Sequence, residues 1–173
     1  MLQGSSVKVC TAFGYPMGGD TCAIKVAAMR DCVVQGADEI DFMPNWGFLK
    51  SGYVDRVAQE IKAVVDAAEG RVVKIMLELG MLSDQEASRA VELSLEAGAQ
   101  YLKNSSGFGK GGQASVEVLQ KLKAWAAGRA KLKVSGGVRT LEQAVALLDA
   151  GADLIGTSSG VAIVRGASGT GDY

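Results

Sequence analysis

The sequence predicts an α/β fold of the TIM (β/α)8-barrel type, with parallel strands and about six of the eight βα units, in one domain over residues 1–173. Three observations predict it. Apolar strands alternate with amphipathic segments of helical period along the chain, as in a parallel sheet with helical crossovers. A glycine suited to ending a helix precedes the apolar run in VVQGADEIDF, AAEGRVVKIMLE, EAGAQYLKNS, AAGRAKLKVSG and DAGADLIGTSS. These glycines recur at intervals of about 30 residues, close to one eighth of the roughly 250 typical of the barrel. A doubly wound sheet satisfies the alternation equally, so the repeat length is what favours the barrel.

The elements follow in order. MLQG reads as the last turn and cap of a helix whose beginning is absent, so a barrel-type chain lacking its first two βα units is expected. VKVCTAFG, residues 7–14, is the first strand. Ala23, Val26, Ala27 and the run Arg30 to Val34 fit a helix around 20–35, ended by Gly36 before the strand in DEIDF. Val54, Val57, Ile61, Val64 and Val65 form the next apolar face, followed by Gly70 and the strand in VVKIMLE. Ala90, Leu93 and Ala97 mark a helix that leads through Gly98 to the strand in QYLKNS. Helices over 115–127 and 140–150, the second capped by Thr140, lead through Gly128 and Gly151 to the strands in KLKVS and DLIGTSS. The strands are expected to be apolar on both faces, with helices over one and a core against the other.

Composition excludes several functions. Lys+Arg 18 against Asp+Glu 19 gives a net charge of -1, which offers no basic footprint for nucleic acid. No apolar run reaches the roughly 18 residues of a membrane helix, so a cytoplasmic protein with no membrane partner is expected. Cys10, Cys22 and Cys32 are odd in number and lack metal-ligand spacing, and are expected to be buried reduced thiols. The absence of histidine removes Ser-His and Cys-His nucleophile pairs and argues against a zinc site. No metal and no cofactor are expected.

Barrel enzymes place reactive groups where strands meet the following loops. Those positions hold Asp41 to Asn45, Glu78, Lys103, Lys133, Ser158 and Ser159. With period-two alternation, Leu102, Leu132 and Val134 point outward, while Lys103, Lys133 and Asp41 point into one cavity. A single lysine near a strand end is usually solvated or snorkelling. Two inward lysines with an inward aspartate suggest chemistry instead. A free lysine is neutral only about once in several thousand molecules at pH 7. Desolvation and a neighbouring cation both favour loss of its proton, which frees a nucleophile able to form a Schiff base with a carbonyl. Asp41 and Lys133 are expected to move protons. Lys74 shares the inward phase with Glu78 and is read as part of a structural ion pair low in the barrel.

Two glycine-rich turns suit the other end of a phosphorylated substrate. SGGVRT follows the strand of Lys133, and GTSSG ends the last strand, where such barrels commonly bind phosphate. Gly136, Gly137, Ser158 and Ser159 are the candidates, with Arg139 as a screening charge. Tight turns and N-caps explain either loop taken alone.

DEID, PNWGFLKSG, VKIMLE, YLKNSSGFG, KVSGGVRT and IGTSSGVAIV together resemble the deoxyribose-phosphate aldolases, a family of class I aldolases, over nearly the whole chain. The resemblance implies a TIM barrel and reversible cleavage of 2-deoxy-D-ribose 5-phosphate to glyceraldehyde 3-phosphate and acetaldehyde, without a cofactor. It matches Lys103 to the Schiff-base lysine, Lys133 to the second lysine and Asp41 to the proton-relay carboxylate. It also places Gly107 and Gly156 with Gly136, Gly137, Ser158 and Ser159 among the residues that bind the sugar phosphate. The family often has Thr-Ser-Thr-Gly where this chain has Asn104-Ser105-Ser106-Gly107. Some members end in a tyrosine that reaches the site, and Tyr173 is the counterpart here. Members also carry two strands ahead of VKVCTAFG. Their absence implies exposed sheet edges, so self-association into a homo-oligomer and a catalytically impaired sugar-phosphate binder both remain open. Isomerases and synthases on this fold usually need a central carboxylate base and not paired lysines.

Overall fold

The computed structural model describes residues 2, 4–108 and 112–169, and Tyr173 lies outside them. Strands β1 (Cys10–Phe13), β2 (Glu39–Phe42), β3 (Val72–Met76), β4 (Tyr101–Lys103), β5 (Lys131–Ser135) and β6 (Leu154–Gly156) form one sheet in sequence order, with every pair parallel. Between them run α1 (Cys22–Val34), α2 (Trp46–Lys50), α3 (Val54–Asp66), α4 (Asp84–Glu96), α5 (Val116–Ala126) and α6 (Leu141–Asp149), and α7 (Gly160–Val164) follows β6. Among the described residues no helix is long and apolar enough to cross a membrane.

Hydroxyl side chains start four of the five longer helices, α3 being the one without a side-chain cap. Thr21, Ser83, Ser115 and Thr140 accept from the N–H of Ile24, Glu86, Val118 and Gln143, which satisfies donors that a helix start leaves unpaired. Glu86 and Gln143 reach back to complete capping boxes at Ser83 and Thr140. The expected ranges therefore hold within a residue or two. Helices α2 and α7 and the 3-10 turn Leu79–Met81 are too short to show a period in sequence.

The recurring Gly-Ala-Asp/Gln has a structural meaning. Gly36, Gly98 and Gly151 stand at φ 87°, 90° and 105°. Their N–H groups donate to Val33, Leu95 and Leu148, and those of Ala37, Ala99 and Ala152 reach back to Cys32, Ser94 and Leu147. These paired bonds satisfy carbonyls at each helix end, and the three alanines are buried. The next side chains, Asp38, Gln100 and Asp153, accept from the N–H of Val9, Val73 and Leu132 at 2.9, 2.8 and 2.8 Å. Their own N–H groups donate to the carbonyls of the same three residues. One three-residue device thus stops a helix, buries an alanine and pins the next strand to its predecessor.

The two faces of the sheet differ. Ile40, Phe42, Val73, Ile75, Leu102, Leu132 and Val134 are at most 4% exposed and belong to the apolar core shared with helix residues such as Val57, Ile61, Leu119 and Leu147. The other face carries Asp41, Lys74, Tyr101, Lys103 and Lys133. The expectation of strands apolar on both sides fails there, because the concave side holds an ionic cluster. Lys133 of β5 reaches Asp41 of β2 at 2.6 Å with two strands between them. In a flat sheet those strands would lie about 14 Å apart, so the sheet curls toward the ionic face. It does not close: β1 and β6 each pair on one side only among the described residues. The cysteines are free thiols, as expected, but none is buried: Cys10 is exposed on edge strand β1, and Cys22 and Cys32 are half-buried.

Gly98 has open space where a Cβ would stand, so its φ and not its surroundings requires glycine. Chemical denaturation of Gly98→Ala is expected to show a loss of about 1–2 kcal/mol. An unchanged unfolding midpoint would contradict this reading of the cap.

Candidate active site

Strand register brings the ionisable groups together. Asp41 is level with Lys74, and Lys103 with Lys133. Asp41 Oδ2 accepts hydrogen bonds from Lys133 Nζ at 2.6 Å and Lys103 Nζ at 3.1 Å. Its other oxygen, Oδ1, lies 3.3 Å from Lys74 Nζ and accepts from the Cys10 thiol at 3.3 Å. Asp41 is 2% exposed and Lys103 4%, while the Lys133 side chain keeps 11%. Burial by itself would raise the Asp41 pKa. The Lys133 charge, followed by the Lys103 charge, the Lys133 hydrogen bond and Lys74, outweighs it and holds the carboxyl at about 2, against an ordinary 3.8.

Lys74 has carboxylates of its own. Burial works against its ammonium charge, but the Glu39 hydrogen bond and then Asp41 more than compensate, so its pKa lies above the usual lysine value. Its ion pairs are with Glu39 and Asp41, and Glu78 is not a partner. It is a charged structural group beneath the two upper lysines.

The loop after Lys103 is stapled to the end of β5. Asn104 Nδ2 and Ser105 Oγ both donate to Ser135 O at 3.0 Å, Ser135 N–H donates to Asn104 Oδ1 at 2.8 Å, and Ser135 Oγ donates to Ser105 O at 2.7 Å. From the other side, Ser106 N–H donates to Glu78 Oε2 at 2.8 Å. In the sequence this run shows only as the counterpart of the family's Thr-Ser-Thr-Gly. Its pairing with Ser135, which lies one residue beyond the apolar part of β5, leaves no periodic signal.

The glycine positions divide by role. A Cβ on Gly156 would stand 2.9 Å from Ser135 Cβ and 3.5 Å from Lys133 Cε, so Gly156 makes room for the lysine. A Cβ on Gly136 would stand 3.0 Å from Gly112 O and 3.3 Å from Ser105 Oγ, and Gly137 lies beside the Gln113 side chain. Gly107 is half-buried in the turn after Ser106, at φ 85°. Ser158 and Ser159 line a separate hollow of about 610 Å³ with Arg165 and Gly169. Gly169 N–H donates to Arg139 O, which ties the final segment to the β5–α6 loop. Arg139 Nε is buried and has no hydrogen-bond partner among the described residues. A larger hollow of about 840 Å³ lies at the opposite ends of the strands, lined by Glu39, Tyr101, Lys131 and Asp153 among others, and contains none of the expected site residues. No cluster suited to a metal ion occurs among the described residues.

Another feature missed in sequence is fully buried Lys25, which donates to Gly18 O at 2.7 Å and Glu60 Oε1 at 2.8 Å. Glu60 Oε1 also accepts from Asn45 N–H at 2.8 Å, so one ion pair holds the loops after β1 and β2.

A model of the DeoC/LacD family aldolases matches residues 2–166. The chain is 47% identical over 174 residues to the deoxyribose-phosphate aldolase of Streptococcus suis strain 98HAH33, covering 99% of this chain and 78% of that protein. It is 47% identical over 171 residues to the deoxyribose-phosphate aldolase of Brevibacillus brevis, covering 99% and 77%. Among solved structures, the aldolase QR15 superposes with a TM-score of 0.89 at 38% identity, over 94% of this chain and 73% of that one. Deoxyribose phosphate aldolase from Aeropyrum pernix, described as a unique tetramer, gives 0.84 at 32% identity, over 92% and 67%.

The depressed Asp41 pKa has a sign that can be checked. Its carboxylate stabilises the fold fully above about pH 4, and that contribution is lost as pH falls through about 2. The stability advantage of the parent over Asp41→Asn is expected to shrink by about 2 kcal/mol between pH 6 and pH 2, read by denaturant unfolding. A pH-independent difference would contradict the assignment.

Proposed function

The chain belongs to the DeoC/LacD family of aldolases, and on that premise we propose that it is a deoxyribose-phosphate aldolase working through a Schiff base on Lys103. The reaction is reversible cleavage of 2-deoxy-D-ribose 5-phosphate to glyceraldehyde 3-phosphate and acetaldehyde, in the breakdown of deoxyribonucleosides. The observation that supports this most is the convergence of Lys103 and Lys133 on one oxygen of Asp41.

The chemistry follows from that arrangement. The cluster holds three ammonium groups (Lys74, Lys103, Lys133) against two carboxylates (Glu39, Asp41). Release of one ammonium proton therefore leaves it electrically balanced, and the freed amine is a nucleophile. Lys103, the more buried of the upper pair, attacks the sugar aldehyde, and loss of water gives a protonated imine. As the C3 hydroxyl gives up its proton, the C2–C3 bond breaks and its electron pair passes to the iminium. Glyceraldehyde 3-phosphate departs and leaves an enamine. Protonation of the enamine carbon and addition of water release acetaldehyde and restore the amine. Asp41 and Lys133 hold the protons in transit. Gly107, Gly136, Gly137, Ser158 and Ser159, with Arg139 as a screening charge, are the groups we assign to the sugar phosphate. No step calls for a metal or organic cofactor. Exposed Val7, Val9 and Ile24 around one margin and Leu148, Val161 and Val164 around the other favour self-association.

Borohydride reduction with acetaldehyde, followed by mass analysis, tests the proposal. The expected result is one adduct on Lys103 that Lys103→Ala abolishes. In Lys133→Leu the remaining charges balance without proton loss, so trapping near pH 7 is expected to fall by on the order of tenfold and to recover as pH rises. Equal trapping by this variant and the parent between about pH 6 and pH 9 would contradict the coupling. A folded parent with no adduct would favour a non-catalytic sugar-phosphate binder.

A further inference from the structure

We propose that Glu78 determines specificity: its free carboxylate oxygen accepts a hydrogen bond from the hydroxyl on the carbon next to the aldehyde of glyceraldehyde 3-phosphate, a reading that rests on the aldolase function above. Glu78 lies two residues past β3, whose last residue, Met76, is level with Lys103. Leu77 N–H donates to Lys103 O and Leu79 N–H to Asn104 O, both at 2.9 Å, so Glu78 is held between two bonds to the backbone that carries the reactive amine. It is 5% exposed.

Two features exceed what a structural clamp needs. Glu78 has φ 52° and ψ 53°, a left-handed conformation that costs a residue with a Cβ free energy and tends to occur at functional sites. The other non-glycine residues with positive φ among the described residues, Glu69 and Ala127, lie in the turns that end helices. Secondly, Oε2 accepts from Ser106 N–H while Oε1 is buried with no hydrogen-bond partner among the described residues. Buried acceptors are nearly always satisfied, and an unmet carboxylate oxygen is costly. A clamp on Ser106 alone requires one oxygen, which glutamine would supply.

The second oxygen can only accept, so it selects a donor and repels phosphate. The cleaved sugar phosphate carries hydroxyls on C3 and C4. The C3 hydroxyl gives up its proton in bond cleavage and belongs to Asp41 and Lys133. The C4 hydroxyl remains, and it is the hydroxyl beside the aldehyde of the three-carbon product. A site built around such a bond rejects an analogue lacking the hydroxyl, because its buried acceptor then stays unmet.

The test compares aldol addition of acetaldehyde to glyceraldehyde 3-phosphate and to 3-oxopropyl phosphate, which keeps the phosphate and lacks only that hydroxyl. The parent is expected to favour the hydroxylated acceptor in kcat/KM by about tenfold or more. Glu78→Gln retains a carbonyl for Ser106 N–H and replaces the free acceptor with a donor. Its loss on glyceraldehyde 3-phosphate is expected to exceed its loss on 3-oxopropyl phosphate by about 10- to 100-fold. Equal losses on both acceptors, which a purely structural role would give, overturn the proposal. So does a parent that discriminates by less than about threefold, a measurement that stands even if the variant fails to fold. Absence of acetaldehyde trapping at Lys103 in the parent removes the aldolase reading itself. Trapping without discrimination removes this inference alone.

Discussion

One oxygen of Asp41 accepts hydrogen bonds from lysines on two different strands, β4 and β5, while its other oxygen faces a third lysine on β3. Taking a carboxylate out of water costs several kcal/mol, and only close cations and good geometry offset that. The surrounding structure meets the requirement. Parallel register sets Asp41 level with Lys74 and Lys103 level with Lys133. Curling of the sheet closes the distance across two intervening strands. Gly156 leaves the space that Lys133 occupies. The cluster's excess of ammonium over carboxylate groups and the contact that positions its two upper lysines have the same origin.

The apolar side of the sheet makes this arrangement affordable. Valine, isoleucine and leucine on the convex faces of the strands are buried beneath the helices, so the concave face need not supply the core. The repeated Gly-Ala-Asp/Gln device aligns strand starts at one end, which leaves the loops at the other end free for polar staples such as Asn104–Ser135 and Glu78–Ser106. Edge strands β1 and β6 lie outside this double support. Cys10 and the exposed Val7 and Val9 collect at the β1 margin, and exposed Val161 and Val164 at the other.

Much of this was legible in the sequence because it depends on local periodicity. The helix-ending glycines, the Thr140 cap and the outward phase of Leu102, Leu132 and Val134 all follow from spacing. Alternation also sent Asp41, Lys103 and Lys133 to one face. What escaped depends on contacts between distant segments. Lys25 sits among alanines and methionine on α1, and only the approach of Glu60 makes it an internal ion pair. Lys74 was recognised as structural, yet its partners, Glu39 and Asp41, come from the neighbouring strand. The expectation of a buried thiol failed at Cys10 because its strand has only one neighbour among the described residues, a property of sheet order that composition cannot reveal.

A double-mutant cycle on unfolding free energy at pH 7 tests the central contact most directly, using Asp41→Asn, Lys133→Leu and the combined variant. The shared buried carboxylate predicts a coupling of about 1–3 kcal/mol, because either single change strands the other charge. Additivity within about 0.5 kcal/mol would contradict it and leave Asp41 and Lys133 as independent neighbours.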